Sequence, residues 1–288
     1  MSTQHTLKLP PDTKMAEMDV VMSNALVRSA HDLTLSEKRL IETCIAKTKQ
    51  FEWPHGAKPL ARQTAIASQQ FRSWIEEVDP TKNPFVVRLS ARDYADTHGL
   101  SMTSAYEQMS AAATNLIEKR MIRAYQDTPT GRKEHKYKWV SGCVYHPGEG
   151  YVELTWSLEV LRHIMAQRSE YVIYPLKCVL PFASTYAWRL WQIFESWDGT
   201  YTVTIEEFLR IMDAPQSYAK DFSLTRVRVI ETAIRELKEK SNLDVTWTEK
   251  RAGRKIVSLI FKYSKGQEDL FTKPAEGEAA PFFPEGVR

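Results

Sequence analysis

Four cations, Lys250, Arg251, Arg254 and Lys255, stand within six residues around Gly253. A glycine permits a tight turn at that point. Cations on the tip of a hairpin can follow a phosphate backbone beside a groove. Upstream, Arg226, Arg228 and Arg235 lie off the apolar stripe of a helix, with Lys220, Ser223 and Thr225 near its start. An α-helix fits the major groove of duplex DNA, where arginine can read guanine with two hydrogen bonds. Serine, threonine and backbone N–H groups can hold phosphates. One such face alone is usually an ordinary solvated surface. Beside a basic hairpin it suggests the binding of a polyanion.

A second basic cluster, Arg132, Lys133, His135, Lys136 and Lys138, reads as the tip of an equivalent hairpin. The helix before it presents Ser101, Thr103, Ser104 and Gln108 outward, with the small run Ala111-Ala112-Ala113. Small residues allow close approach of DNA or of another helix, and the sequence leaves both open. Net charge is only +3, but it is unevenly placed. Residues 220–265 carry 12 Lys/Arg against 6 Asp/Glu, residues 119–138 carry 7 against 2, and residues 266–288 carry 2 against 5. Two basic segments and an acidic end point to two surfaces aimed at a polyanion.

Residue types that break bonds are poorly arranged. There is no Gly-x-x-x-x-Gly-Lys-Ser/Thr phosphate loop, and Gly148-x-Gly150 is too short for a nucleotide fingerprint. The seven His never pair at metal-ligand spacing. The tyrosines fall on apolar stripes, which makes them core rather than nucleophiles. No catalytic site, metal or cofactor is expected. Cys44, Cys143 and Cys178 lack metal spacing and read as buried thiols of a reducing compartment. No run of 18 apolar residues could span a membrane, and the N-terminus lacks a signal-peptide core, so a cytoplasmic location is expected.

The elements that must position these side chains occur twice. Tyr106, Met109, Ala113 and Leu116 follow i, i+3, i+7, i+10, and so do Val227, Ile230, Ile234 and Leu237, at an offset of 121 residues. That is the inward stripe of a core-facing helix. Ser101 to Lys119 and Ser223 to Lys240 are the two long helices. Each follows a shorter capped helix, from Ser90 and from Thr204, aligned at an offset of 114 through Tyr94 and Phe208. The turn between the helices, Asp213 to Phe222, is therefore about seven residues longer in the second copy. Strands follow each long helix: Met121–Tyr125 and Lys138–Tyr145 around a basic turn from Thr128 to Lys136, then Leu243–Thr248 and Ile256–Tyr263. Further helices are expected from Thr34-x-x-Glu37, around 64–78, and from Ser184 with Tyr186, Leu190, Ile193 and Trp197 on one side. Val20–Val27 reads as a strand.

The fold class is α+β, with two tandem winged helix-turn-helix domains. The expected organisation is a flexible tail 1–19, a first winged-helix domain 20–168, a second and main DNA-reading domain 169–265, and a disordered acidic tail 266–288.

Four segments in order carry a family resemblance. They are Met22–Val27 with Leu33–Leu40; Ser184-Thr185-Tyr186-Ala187-Trp188-Arg189-Leu190-Trp191; Val229–Leu237; and Gly253-Arg254-Lys255. Together they resemble plasmid replication initiators of the RepE/RepA type, with Trp191 where tyrosine is usual. The resemblance implies monomers that bind repeated origin sequences (iterons) and open the origin, in equilibrium with homodimers that bind an inverted repeat and repress their own gene. It also implies dimerisation through the first module, and a bacterial host's initiator protein, replicative helicase and chaperones as partners. The expected function is sequence-specific duplex DNA binding for plasmid replication initiation. The alternatives are a dedicated repressor on an inverted repeat and a strand-nicking enzyme, which would need a nucleophilic tyrosine and a metal cluster.

Overall fold

The computed structural model describes residues 14–48, 85–146, 148–164, 171–197, 199–241 and 243–265. The expected helix around 64–78 and the tails 1–13 and 266–288 lie outside these. After a 3-10 turn at Met15–Glu17 come β1 (Asp19–Ser23), α1 (Asn24–Val27), β2 (Ala30–His31) and α2 (Leu35–Lys47). Residues 15–19, expected to belong to a tail, are structured, and Met15 and Met18 pack on the core. The expected strand Val20–Val27 is cut at Ser23, whose side chain accepts from the Leu26 N–H and starts α1. Thr34 and Glu37 form the full capping box at the head of α2.

The first module continues with β3 (Val86–Ser90), α3 (Ala91–His98), α4 (Met102–Glu118), β4 (Met121–Thr128), β5 (Gly131–Lys138), β6 (Val140–His146) and β7 (Tyr151–Trp156). Then come α5 (Leu158–Ile164), β8 (Tyr171–Pro175) and α6 (Thr185–Glu195). The second module contains β9 (Thr200–Thr204), α7 (Ile205–Ile211), α8 (Gln216–Lys220), α9 (Phe222–Thr225), a π turn at Arg226–Glu231, α10 (Thr232–Lys240), β10 (Leu243–Ala252) and β11 (Lys255–Lys265). The chain therefore holds two winged-helix domains of mixed α and β structure. The sheet orders β3-β7-β6 and β9-β11-β10 match strand for strand. Ser90 and Thr204 each cap the short helix, and Tyr94 and Phe208 are buried at matching places.

Three expectations are corrected. Residues 131–138 are a strand paired with β4, not a turn, and Val140–His146 pairs with β7 instead of β4. Trp197 lies beyond α6 and is exposed, with the Arg28 guanidinium 4.5 Å from its ring centroid. Of the three free cysteines only Cys44 is fully buried; Cys143 and Cys178 are half-buried.

Buried apolar side chains of both modules form one contiguous cluster, and α6 joins them. On one side, Gln192 accepts from Lys38 Nζ (2.9 Å) and donates to Glu42 Oε1 (2.7 Å), while the Tyr174 hydroxyl donates to Glu42 Oε2 (2.7 Å). Burial of the Lys38–Glu42 pair is tolerable because each charge has such partners. Arg189 donates to the Ser29 carbonyl (2.7 Å) and to His31. On the other side, Phe194 stacks on Tyr263, and Glu236 accepts from the Ala183 and Ser184 N–H groups at the helix start. The paired strands β1 and β8 come from either side of the expected division at 168/169.

Candidate nucleic-acid interface

Residues 222–240 form one continuous helical run. Asp221 caps it by accepting from the Ser223 N–H at 2.9 Å, and these Ser223 hydrogen bonds hold the Asp221 carboxyl below its usual range. The long connection before it is partly helical: Pro215 starts α8, and the Tyr218 carbonyl accepts from Thr225 Oγ1 at 2.9 Å. Thr225 is fully buried, so it holds the helix start and is withdrawn as a DNA contact. The cause is the π turn at 226–231. It inserts one residue into the helical repeat, so the inward stripe runs Thr225, Val229, Ile230, Ala233, Ile234 and Leu237. Val227, expected to face inward, is instead 51% exposed.

Arg226 reaches toward the wing. Its Nε donates to Glu231 at 2.6 Å, and its guanidinium lies 6.0 Å from the Trp247 ring centroid. A cleft of about 550 Å³ opens there, lined by Phe222, Ser223, Arg226, Trp247, Thr248, Glu249 and Arg251. Arg251 is paired with Glu249 along the strand. Lys220, Arg228, Arg235, Lys250, Arg254 and Lys255 are exposed and have no ion-pair partner among the described residues. The wing strands are longer than expected. Lys250 and Arg251 lie in β10 at an irregularity in its pairing with β11, and Ala252 pairs with Lys255 across the tip. Gly253, at φ +61°, occupies the left-handed position that the turn requires.

The first module uses the same frame differently. Ser101 caps α4, accepting from the Ser104 N–H (3.2 Å) and donating to Ser104 Oγ (3.0 Å). Thr103 is exposed, and Gln108 accepts from the Tyr94 hydroxyl at 3.4 Å. By sheet order its wing is β6–β7, whose connecting residues 147–150 contain no lysine or arginine. The expected equivalence of Arg132, Lys133 and Lys136 with the second wing is therefore corrected. They lie on β5, in a hairpin inserted before the true wing.

That hairpin faces the second module. Arg123 pairs with Asp213, Arg132 approaches Glu207 at 3.7 Å, and the Arg210 guanidinium sits 4.0 Å from the Tyr125 ring centroid. Glu207 also binds Arg210, so its capping box with Thr204 is only half made. Asp213 adopts φ +50°, which aspartate tolerates better than most residues. Lys136 pairs with Glu134 at 3.0 Å, and Lys133 is exposed. Sequence reading missed Arg123, Tyr125, Arg210 and Asp213, whose partners are roughly 90 residues away. The signal available was the acidic pair Glu207 and Asp213, standing before the second basic segment and opposite in charge to the first.

Among the described residues no group of three His, Cys, Asp or Glu could hold a metal ion, and no helix is long and apolar enough to cross a membrane.

The family profile described as initiator replication protein, WH1, matches residues 19–195, and that described as initiator Rep protein, WH2, matches residues 204–263. Among solved structures, the Pi initiator protein in complex with iteron DNA matches with a TM-score of 0.61 at 18% identity, over 88% of this chain and 99% of that one. Domains 2 and 3 of RctB match with a TM-score of 0.41 at 12% identity, over 89% of this chain and 94% of that one. No curated protein sequence matches. With most of its length covered by the paired WH1 and WH2 profiles, the chain belongs to the initiator replication protein family.

Proposed function

We propose that this protein starts plasmid replication by binding repeated origin sequences in double-stranded DNA, in the cytoplasm of a bacterium. The observation that carries the reading is the second module's geometry. An Arg-bearing helix stands beside a hairpin with four cations at or near its tip, and no acidic partner offsets Arg228, Arg235, Lys250, Arg254 or Lys255 among the described residues. The fold likeness to the Pi initiator, whose complex with iteron DNA is known, supports it. Arg228 and Arg235 read base edges from the major groove. Lys220, Ser223, Arg226, Lys250, Arg251, Arg254 and Lys255 hold phosphates around the helix start and wing. Ser101, Thr103, Ser104, Gln108 and Lys133 meet the backbone more weakly from the first module. Arg132 and Lys136, already ion-paired, contribute least.

The mechanism is binding and deformation, with no catalytic site. Two modules held by α6 grip successive grooves, and the phosphate contacts strain neighbouring A·T-rich duplex. Homodimers repress the protein's own gene, while the host initiator, helicase and chaperones act on the monomeric complex. Footprinting of the purified protein on its plasmid's non-coding region, with mass determination of each complex, tests this. Protection of several direct repeats, one monomer each, is expected. Protection of a single inverted repeat by a dimer would instead make it a repressor. Nicking of supercoiled origin DNA with Mg²⁺ would make it an enzyme.

A further inference from the structure

Most large apolar side chains are withdrawn from solvent, yet the reading helix keeps two on its surface: Leu224, 36% exposed, and Val227, 51% exposed. A lone exposed valine is ordinary. Here the backbone makes the exposure necessary. Without the π turn the helical repeat would put Val227 in the inward stripe with Ile230, Ile234 and Leu237. With it, Thr225 takes the inward place and Val227 turns to the side away from Val229. The turn is anchored at that residue, since Thr232 Oγ1 donates to the Val227 carbonyl at 2.9 Å. π turns are rare and recur at functional positions. Val227 stands between Arg226 and Arg228, one helical turn beyond Leu224, so the apolar spot is framed by cations.

A protein partner is a poor match for two aliphatic groups set beside Arg226, which is paired with Glu231, and Arg228, which has no ion-pair partner among the described residues. The duplex major groove offers phosphate on its rims and one apolar group on its floor, the thymine 5-methyl. We propose that Val227, supported by Leu224, reads thymine methyl groups in the repeat and is a specificity-determining residue. This rests on residues 222–240 being the helix that enters the groove.

The test uses the full chain and a duplex of its own origin repeat, with each thymine replaced in turn by deoxyuridine. That change removes the methyl and leaves every hydrogen-bonding group. Wild-type protein should bind about fourfold more weakly at one or two positions, the value of roughly 0.8 kcal/mol per methylene-sized apolar contact at about 1.4 kcal/mol per tenfold. Val227→Ala should bind the thymine and deoxyuridine duplexes alike at those positions, while Val227→Ile should keep the discrimination. Thermal unfolding confirms that both variants are folded, as expected for a half-exposed site. Wild-type indifference to every deoxyuridine, with the repeat still preferred over a scrambled duplex, would overturn the inference and leave groove reading intact. Discrimination retained by Val227→Ala would overturn it also. Loss of self-association in Val227→Ala without DNA would assign the patch to a second copy instead. No preference for the repeat over scrambled duplex would remove the groove reading itself, and the inference with it.

Discussion

The two modules share a frame and differ in what they place on it. Each has a capped short helix, a long helix and a three-stranded sheet of the same order. In the second, the long helix and the wing both carry unpaired cations. In the first, the helix exposes serine, threonine and alanine, the wing turn has no cation, and the positive charge sits on an extra hairpin partly neutralised by the second module. Equivalence of fold is therefore not equivalence of surface. Lysine and arginine stand without acidic partners on the helix and wing of one module, and in the other they help fasten the modules together.

The largest expected effect comes from removing the second wing's charge. Changing Lys250, Arg251, Arg254 and Lys255 together to alanine should lower affinity on the order of 10² to 10³-fold at physiological salt, on cognate and scrambled duplex alike. The slope of log K against log salt should flatten by about 3 to 4, at roughly 0.9 per phosphate contact. Changing Lys133 and Lys136 in the first module should flatten it by less than about one contact's worth. Equal slopes for the two variants would erase the contrast between the modules.

Next in size is Arg228→Ala, expected to cost about 1–3 kcal/mol on the cognate repeat and little on scrambled duplex, because a base contact is lost. Competition binding against both duplexes reads this directly. A uniform loss would place Arg228 on phosphate instead.

The hairpin contacts give a smaller effect. Asp213→Asn keeps a side chain that tolerates φ +50° and removes the charge facing Arg123. Partly exposed ion pairs are worth about 0–1 kcal/mol. Affinity for the whole repeat should fall about two- to fivefold, while affinity for a duplex short enough to engage only the second module stays unchanged. A matching loss on the short duplex would mean that Asp213 acts on the second module alone.

The duplicated frame was legible in sequence because it rests on local signals: caps at Ser90, Thr204 and Thr34, and apolar spacing along Met109, Ala113 and Leu116. The wing tip was legible because Gly253 and its cations are neighbours in the chain. What failed was non-local or aperiodic. A helix of constant period put Val227 inside and Thr225 outside, and the π turn reversed both. Strand partners in the first module were misassigned because 131–138 reads as a charged loop when its pairing with Met121–Thr128 is not known. The bridging role of α6 depends on Lys38, Glu42, His31 and Glu236, none of them near it in sequence.

The modules should also differ toward acid, by the smallest effect. Burial first, then Arg189 and Lys38, hold His31 well below the usual histidine range. Burial first, then Arg39, lowers His98 to about 3. Both lie in the first module, and no histidine follows His163 in the sequence. In the unfolded chain each would titrate near 6.5. Above that pH neither state binds a proton at these sites, so they leave stability unchanged. As pH falls through about 6.5 the unfolded chain gains protons that the folded chain refuses, and stability declines until the folded values are reached. Between pH 7 and 5.5 most carboxylates stay ionised, so the histidines dominate this window. Hydrogen exchange should therefore show protection falling in α2 and α3, against which His98 packs through Thr43 and Tyr94, while β10 and β11 change little. His98→Gln, neutral throughout, should flatten that dependence. An equal loss of protection in both modules would show that acid acts through the shared core, and that the first module has no sensitivity of its own.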